Sequence, residues 1–406
     1  MKQIFGFAIA LCFVLLGVLF VLHYPLSVSL LDIDFNLRFN ETCSVLNGVD
    51  PFLIWNGTVA SEAYVPWSFA ALPYYQILPM VHAYPPWAYA IISPFALFDQ
   101  TTAAGLFRCV QLVCLTAVFA FVLLRLRRLT GNWILPCVGF ASLCLAASDG
   151  FTRCLIVGNF GIVSTAAAFG ALWMHERGRD EVAALCWFFV LLKPQLGGLF
   201  LITLLLEWKW RTLLMLAFSL AVVTLCVSWQ CGRNPMSMIL CVGECGLRQF
   251  PGTGLVNVAL YRAGTSLIGE RLVLASSALV GIAGCVGSWW LVRRHPSVWV
   301  RFLPAAVLSV VWSTWREHDF SIHLLVAYAL VTLMWRERGF CLSVLLVLLA
   351  TVSMRSPMII GGVTWLVCCN YVSFLLLVLA CVVIRFGLAK SARMDVVTDC
   401  ASHGAA

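Results

Sequence analysis

Charge is what this chain has least of. Of its 406 residues only 11% are charged, where a soluble domain carries about 25%. Hydrophobic residues make up 62% and the mean hydropathy is +0.95. That balance excludes a soluble globular protein and points to a polytopic α-helical membrane protein. Long polar stretches are also missing, which excludes a large soluble domain. No Cys/His spacing fits a zinc site. No clear internal repeat is found. The 18 cysteines do not form a disulfide pattern: most lie inside apolar runs (Cys12, Cys114, Cys186, Cys226, Cys285, Cys381), where a free thiol behaves as a small hydrophobe. Cys231, Cys241 and Cys245 share one loop, where a disulfide stays open. The first apolar run, residues 4–22, follows Lys2 and is not followed by a small-x-small cleavage signal. It reads as a retained first helix with its N-terminus inside.

What charge there is has a pattern. The net charge of +8 comes from short basic clusters between apolar runs, as in cytoplasmic loops, and does not suggest a nucleic-acid partner. The clusters are Arg125/Arg127/Arg128, Arg177/Arg179, Lys209/Arg211, Arg293/Arg294, Arg336/Arg338 and Arg385/Lys390/Arg393. Taking each as cytoplasmic predicts helices over 4–24, 103–124, 133–150, 159–175, 181–193, 194–207, 211–229, 272–292, 300–315, 320–335, 340–354 and 359–386. The expectation is an all-α bundle of about 12 spans, one domain over residues 1–390, with a long extracytoplasmic first loop (25–85) and a cytoplasmic tail (391–406). Residues 86–98 read as a re-entrant or interfacial helix, or as a short extra span. Residues 181–207 read as a short hairpin whose tip, Lys193-Pro194, faces outside.

The remaining polar groups then gather on the outer face, which points to a site there. Asp32 and Asp34 lie at the mouth of the membrane, where a carboxylate is costly to hold. The residues alone admit two readings: a general base with a neighbour able to help hold a divalent cation, or two solvated loop acids beside Arg38. Tyr84-Pro85-Pro86-Trp87 suits a helix start, because proline is welcome in the first turn. Gly158-Asn159 opens a helix that Asn159 can cap, with free N–H groups to attract an anion. Lys193-Pro194-Gln195 places a lysine between two apolar runs, where a charge costs about 2.5–3.5 kcal/mol and an anion such as phosphate would satisfy it. Arg316-Glu317-His318-Asp319 is a polar island between two spans, suited to phosphate oxygens. Asn40-Glu41-Thr42 and Asn56-Gly57-Thr58 fit the N-glycosylation acceptor pattern.

The order of these motifs resembles the GT-C superfamily of membrane glycosyltransferases. The set comprises an acidic Asp34-Phe35 after helix one, the stretch Asn47-Gly48-Val49-Asp50-Pro51-Phe52, Tyr84-Pro85-Pro86 with Pro94 downstream, Gly158-Asn159, a buried Lys193-Pro194-Gln195 and a late motif at His318. Within the superfamily it is most similar to the polyprenyl-phosphate-mannose-dependent α-mannosyltransferases. The resemblance implies a GT-C-like fold and an inverting hexosyltransferase in a prokaryotic plasma membrane, acting on the extracytoplasmic side. It would transfer a hexose, mannose by this likeness, from a polyprenyl-phosphate donor to a glycolipid or glycan acceptor. Asp34 falls on the family's catalytic acid, with Asp32 as runner-up. Tyr84, Asn159, Lys193, Gln195, Arg316, His318 and Asp319 then face the substrate. No cofactor is clearly implied, and a divalent metal is left open. The chain departs from the family in having Asn159 where glutamine is common, and His318-Asp319 where two histidines are common. The competing expectation is a multi-pass transporter or flippase for lipid-linked sugar, which the lack of repeats disfavours.

Overall fold

The computed structural model describes residues 33–51, 84–130, 154–249, 270–312 and most of 321–329. Among them there is helix and no strand. The helices are α1 (Ile33–Leu46), α2 (Pro86–Ile92), α3 (Gln100–Thr130), α4 (Gly161–Glu176), α5 (Asp180–Val190), α6 (Pro194–Leu206), α7 (Trp210–Gln230), α8 (Pro235–Gln249), α9 (Glu270–Val292) and α10 (Val298–Trp312). A 3₁₀ turn over Ser93–Leu97 follows α2. The spans expected at 4–24, 133–150, 340–354 and 359–386 lie outside the described residues, as do Asn56 and most of the span at 320–335.

Two of the described helices, Gln100–Arg125 within α3 and all of α7, are long and apolar enough to cross a bilayer. The 21 residues of α7 rise about 31 Å, matching a hydrocarbon core of about 30 Å. Only 28% of its most apolar stretch is buried, so α7 is not the core helix of a soluble fold. Its Leu214, Phe218, Val222, Leu225 and Trp229 recur every three or four residues and lie exposed along one face. An apolar stripe of that length needs lipid to cover it. Trp210 and Trp229 mark its two ends, where aromatic belts lie.

The main core lies where α4, α5, α6, α9 and α10 meet. Trp187, Phe200 and Phe302 are buried there, with ring centroids 5.1 to 6.4 Å apart. At one end the core is closed by charge. The Asp180 carboxylate accepts from Lys209 Nζ at 3.1 Å and from His175 Nδ1 at 2.8 Å. Trp187 Nε1 donates to His175 Nε2 at 2.9 Å, which assigns the His175 proton to Nδ1. Nearby Glu207 accepts from Trp289 Nε1 and from Arg301 Nε, each at 2.8 Å. Arg125 pairs with Glu176. The clusters around Arg125, Arg177/Arg179 and Lys209/Arg211 therefore share one end of the bundle.

At the other end, α3 opens on Asp99, whose carboxylate caps the helix: it accepts from the Thr102 amide at 3.0 Å and the Thr102 hydroxyl at 2.6 Å. Those bonds from Thr102 hold the exposed Asp99 carboxyl below the usual carboxylate range. Here α1 packs on α2 and on the 3₁₀ turn, and α2 on α7.

The structure bears on three expectations. First, the long loop carries a helix, α1, and Asp34 stands in its first turn. Second, residues 86–98 hold a helix of 7 residues and a short 3₁₀ turn, too short to cross the membrane. Third, α5 and α6 have 11 and 13 residues. They rise about 17 and 20 Å, so the hairpin is short, as expected. Lys193 at its tip is 1% exposed and lies inside the protein, as its place between two apolar runs suggested. The Asn40 side chain is also buried on α1, which closes it to a glycan. Cys231 and Cys241 are free thiols, as is every cysteine whose side chain is described. Burial pushes the Cys231 thiol up to about 11.

Candidate active site

Two glycine turns set the site. Gly48 ends α1 with φ +77°. Its N–H bonds Val45 O and the Val49 N–H bonds Ser44 O, each at 2.9 Å. This is a Schellman close, which favours a residue without a Cβ. The chain then leaves toward Asp50, which ion-pairs with Arg233 Nε at 3.0 Å, while Gln230 Nε2 donates to Leu46 O at 2.9 Å. So α1 is fastened to the Trp229 end of α7.

Gly158 does the same for the turn before α4, with φ +67°. The Asn159 N–H reaches back to Cys154 O at 2.9 Å. Asn159 is thereby carried into the interior, where it is buried. Its Oδ1 accepts from the Gly161 N–H at 2.9 Å in a local turn, although the N-cap position itself is Phe160 and not Asn159. Its Nδ2 donates to Asp34 Oδ2 at 2.6 Å. The two contacts fix which end of the amide is which: a backbone N–H demands the oxygen and a carboxylate demands the NH₂. From the other side, Gln111 Nε2 donates to the Asn159 carbonyl at 2.7 Å and to the Cys154 carbonyl at 3.0 Å. Asp34 is half-buried, held by one hydrogen bond and not enclosed.

An aromatic floor supports this contact. Phe35 stacks on Phe107 at 4.7 Å, Phe107 lies 4.7 Å from Phe160, and Tyr84 lies 5.6 Å from Phe160. Leu192, next to Lys193, belongs to the same buried cluster. Trp87 Nε1 donates to Leu191 O at 2.9 Å, docking α2 on the break between α5 and α6. Asn159 thus touches Asp34, while Tyr84 and Leu192 share one buried cluster with Phe35 and Phe160. Gln195, half-buried at the start of α6, is one step further along. Asp32, Arg316, His318 and Asp319 lie outside the described residues.

Residues 82–238 match the model of glycosyltransferase family 87. This is a membrane glycosyltransferase family of the GT-C type. The matched stretch contains Tyr84, Gln111, Asn159 and Lys193 and leaves out Asp34. With the two apolar helices, it supports a membrane glycosyltransferase, which has a sugar donor and an acceptor. No curated protein and no solved structure matches the chain.

Sequence reasoning missed three residues here. Gln111 is the one carboxamide in the apolar run of α3 around it, and an amide in such a run is a signal. Arg38 was read only as a neighbour of the acids. It is buried, with Cζ 4.6 Å from the centre of the Tyr84 ring and Nη1 2.6 Å from Glu41 Oε1. Glu41 is wholly buried as its partner. Burial alone would lower the Arg38 pKa; Glu41, the two tyrosines and Asp34 outweigh it and raise it above the ordinary arginine value. Among the described residues no group of histidine, cysteine, aspartate and glutamate is placed to hold a metal.

Proposed function

We propose that the protein transfers a hexose, with mannose favoured by the family resemblance, from a polyprenyl-phosphate donor to a glycolipid or glycan acceptor on the extracytoplasmic side. The observation that carries this reading is the Asn159–Asp34 contact. It presents a half-buried carboxylate, oriented by an amide, at the end of the bundle away from Arg125, Lys209 and their neighbours. Loops rich in arginine and lysine are retained in the cytoplasm, which supports reading that end as the outer one. Nucleotide sugars are scarce there, which calls for a lipid-linked donor.

In the reaction, the acceptor oxygen attacks the anomeric carbon from the side opposite the phosphate. Its proton passes to an Asp34 carboxylate oxygen. The bond from the anomeric carbon to the phosphate oxygen breaks, and polyprenyl phosphate leaves with the electron pair. One displacement inverts the anomeric centre and forms no sugar–enzyme bond. General-base help of this kind is worth about 10²–10⁴ in rate. Negative charge grows on the departing phosphate, where Lys193 would be its cation.

The test is transfer by purified protein in liposomes, offered either radiolabelled polyprenyl-phosphate mannose or nucleotide-linked mannose. The reading expects label in a glycolipid or glycan from the lipid-linked donor only. Transfer from the nucleotide sugar alone contradicts it. Donor crossing the bilayer with no sugar transferred would make the protein a flippase.

A further inference from the structure

We propose that Arg38 binds the phosphate that joins sugar to lipid in the donor, a role that rests on the reading above and extends it. Arg38 follows Asp34 by four residues on α1, so the two side chains leave the same face, about 5–6 Å apart at Cβ. An arginine in that position ordinarily pairs with the aspartate. Here each is engaged elsewhere. Asp34 accepts from Asn159, and both carboxylate oxygens of Glu41 sit on one guanidinium nitrogen, Nη1. The guanidinium plane is held against the Tyr84 ring, which itself lies against Phe160, the neighbour of Asn159. Base and cation are thus kept side by side without neutralising each other.

What remains on Arg38 is its Nε edge. The residue is 4% exposed, and Nε–H is buried with no hydrogen-bond partner. A buried donor left unpaired carries its full desolvation penalty, and a guanidinium presents its N–H groups as a fork that fits phosphate oxygens. A phosphodiester entering beside Asp34 supplies the missing acceptor. It also places the anomeric carbon, one bond from the phosphate oxygen, next to the carboxylate that takes the proton. Glu41 holds the guanidinium in place and occupies the nitrogen that the phosphate does not need.

The bland alternative is that Arg38 and Glu41 form a structural staple within α1, and the two ideas differ in sign at Glu41. The protein in lipid nanodiscs is titrated with polyprenyl phosphate, which carries no sugar, and with the matching polyprenol, which carries no phosphate. Wild type should bind polyprenyl phosphate. Arg38→Gln should bind it at least tenfold more weakly, Arg38→Lys should fall between, and none of them should change polyprenol binding. Glu41→Gln, which releases the guanidinium, should bind polyprenyl phosphate as tightly as wild type or tighter. A folded Arg38→Gln protein that binds like wild type overturns the role. So does equal weakening by Glu41→Gln and Arg38→Gln, the mark of a staple. Should Arg38→Gln not fold, Arg38→Lys and Glu41→Gln decide alone. A wild-type protein that binds no polyprenyl phosphate overturns the donor assignment, and this role falls with it.

Discussion

Asn159 donates a hydrogen bond to Asp34 at 2.6 Å, although 125 positions of chain separate them. The bond ties a helix of the first loop to the turn that opens α4, and both ends of the Asn159 amide are engaged. Asn159 touches Asp34, the proposed base. Asn159→Ala leaves Asp34 free to swing. A small misplacement of a catalytic group costs on the order of 10² in rate. Steady-state kinetics should show kcat reduced by about that factor with KM for the lipid donor little changed. A raised KM with kcat intact would make Asn159 a substrate contact.

Lys193 is buried at the tip of the α5–α6 hairpin. Lys193→Met should lower the turnover of the folded protein at least about tenfold, through loss of the cation proposed to face the leaving phosphate. Normal transfer by this variant would make the lysine structural.

Gly197 tests the hairpin itself. A Cβ there would lie 2.6 Å from Leu191 Cδ2 and 3.4 Å from Leu191 Cα. Leu191 is the residue whose carbonyl receives Trp87. Overpacking of this kind costs about 1–3 kcal/mol, so Gly197→Ala should lower the melting temperature and, by moving the turn, transfer as well. Gly198, with nothing within 4 Å of its Cβ position, is the control.

The far end of the bundle should behave oppositely. His175 receives Trp187 Nε1 and donates to Asp180, and its ring stacks on Phe302 at 6.2 Å. His175→Phe keeps the stacking and leaves Trp187 Nε1 without its acceptor, while Asp180 keeps Lys209. Leaving a buried donor unpaired costs about 1–3 kcal/mol. Thermal unfolding should show that loss, while the turnover of the remaining folded protein stays near wild type.

The sequence announces the helical class and the residues of the site more clearly than their setting. Asp34, Tyr84, Asn159 and Lys193 stand out because each is polar or broken by proline beside apolar chain, and the structure brings Asn159 onto Asp34 and packs Tyr84 with their neighbours Phe35 and Phe160. The helices of the middle of the chain are also legible, since α4, α7 and α9 fall within two residues of the expected limits at each end. Helix α1 was not legible, because IDFNLRFNETCSVL alternates apolar and polar residues too irregularly to show one greasy face. It is buried on several sides instead. The Arg38–Glu41 pair and Gln111 were hidden for the same reason: their worth lies in partners on other turns or other helices. Residues 181–207 were legible as a short hairpin, because the break at Lys193-Pro194 divides one apolar stretch into two short arms.

The most direct measurement is mannose transfer from the lipid-linked donor by Asp34→Asn beside wild type, with melting temperatures of both. Asparagine is nearly isosteric, and its Oδ1 can still accept from Asn159, so the turn and the fold persist while the proton acceptor is lost. The account predicts equal melting temperatures and transfer reduced by about 10²–10⁴. Near-normal turnover by a folded Asp34→Asn protein would contradict it and remove Asp34 as the base.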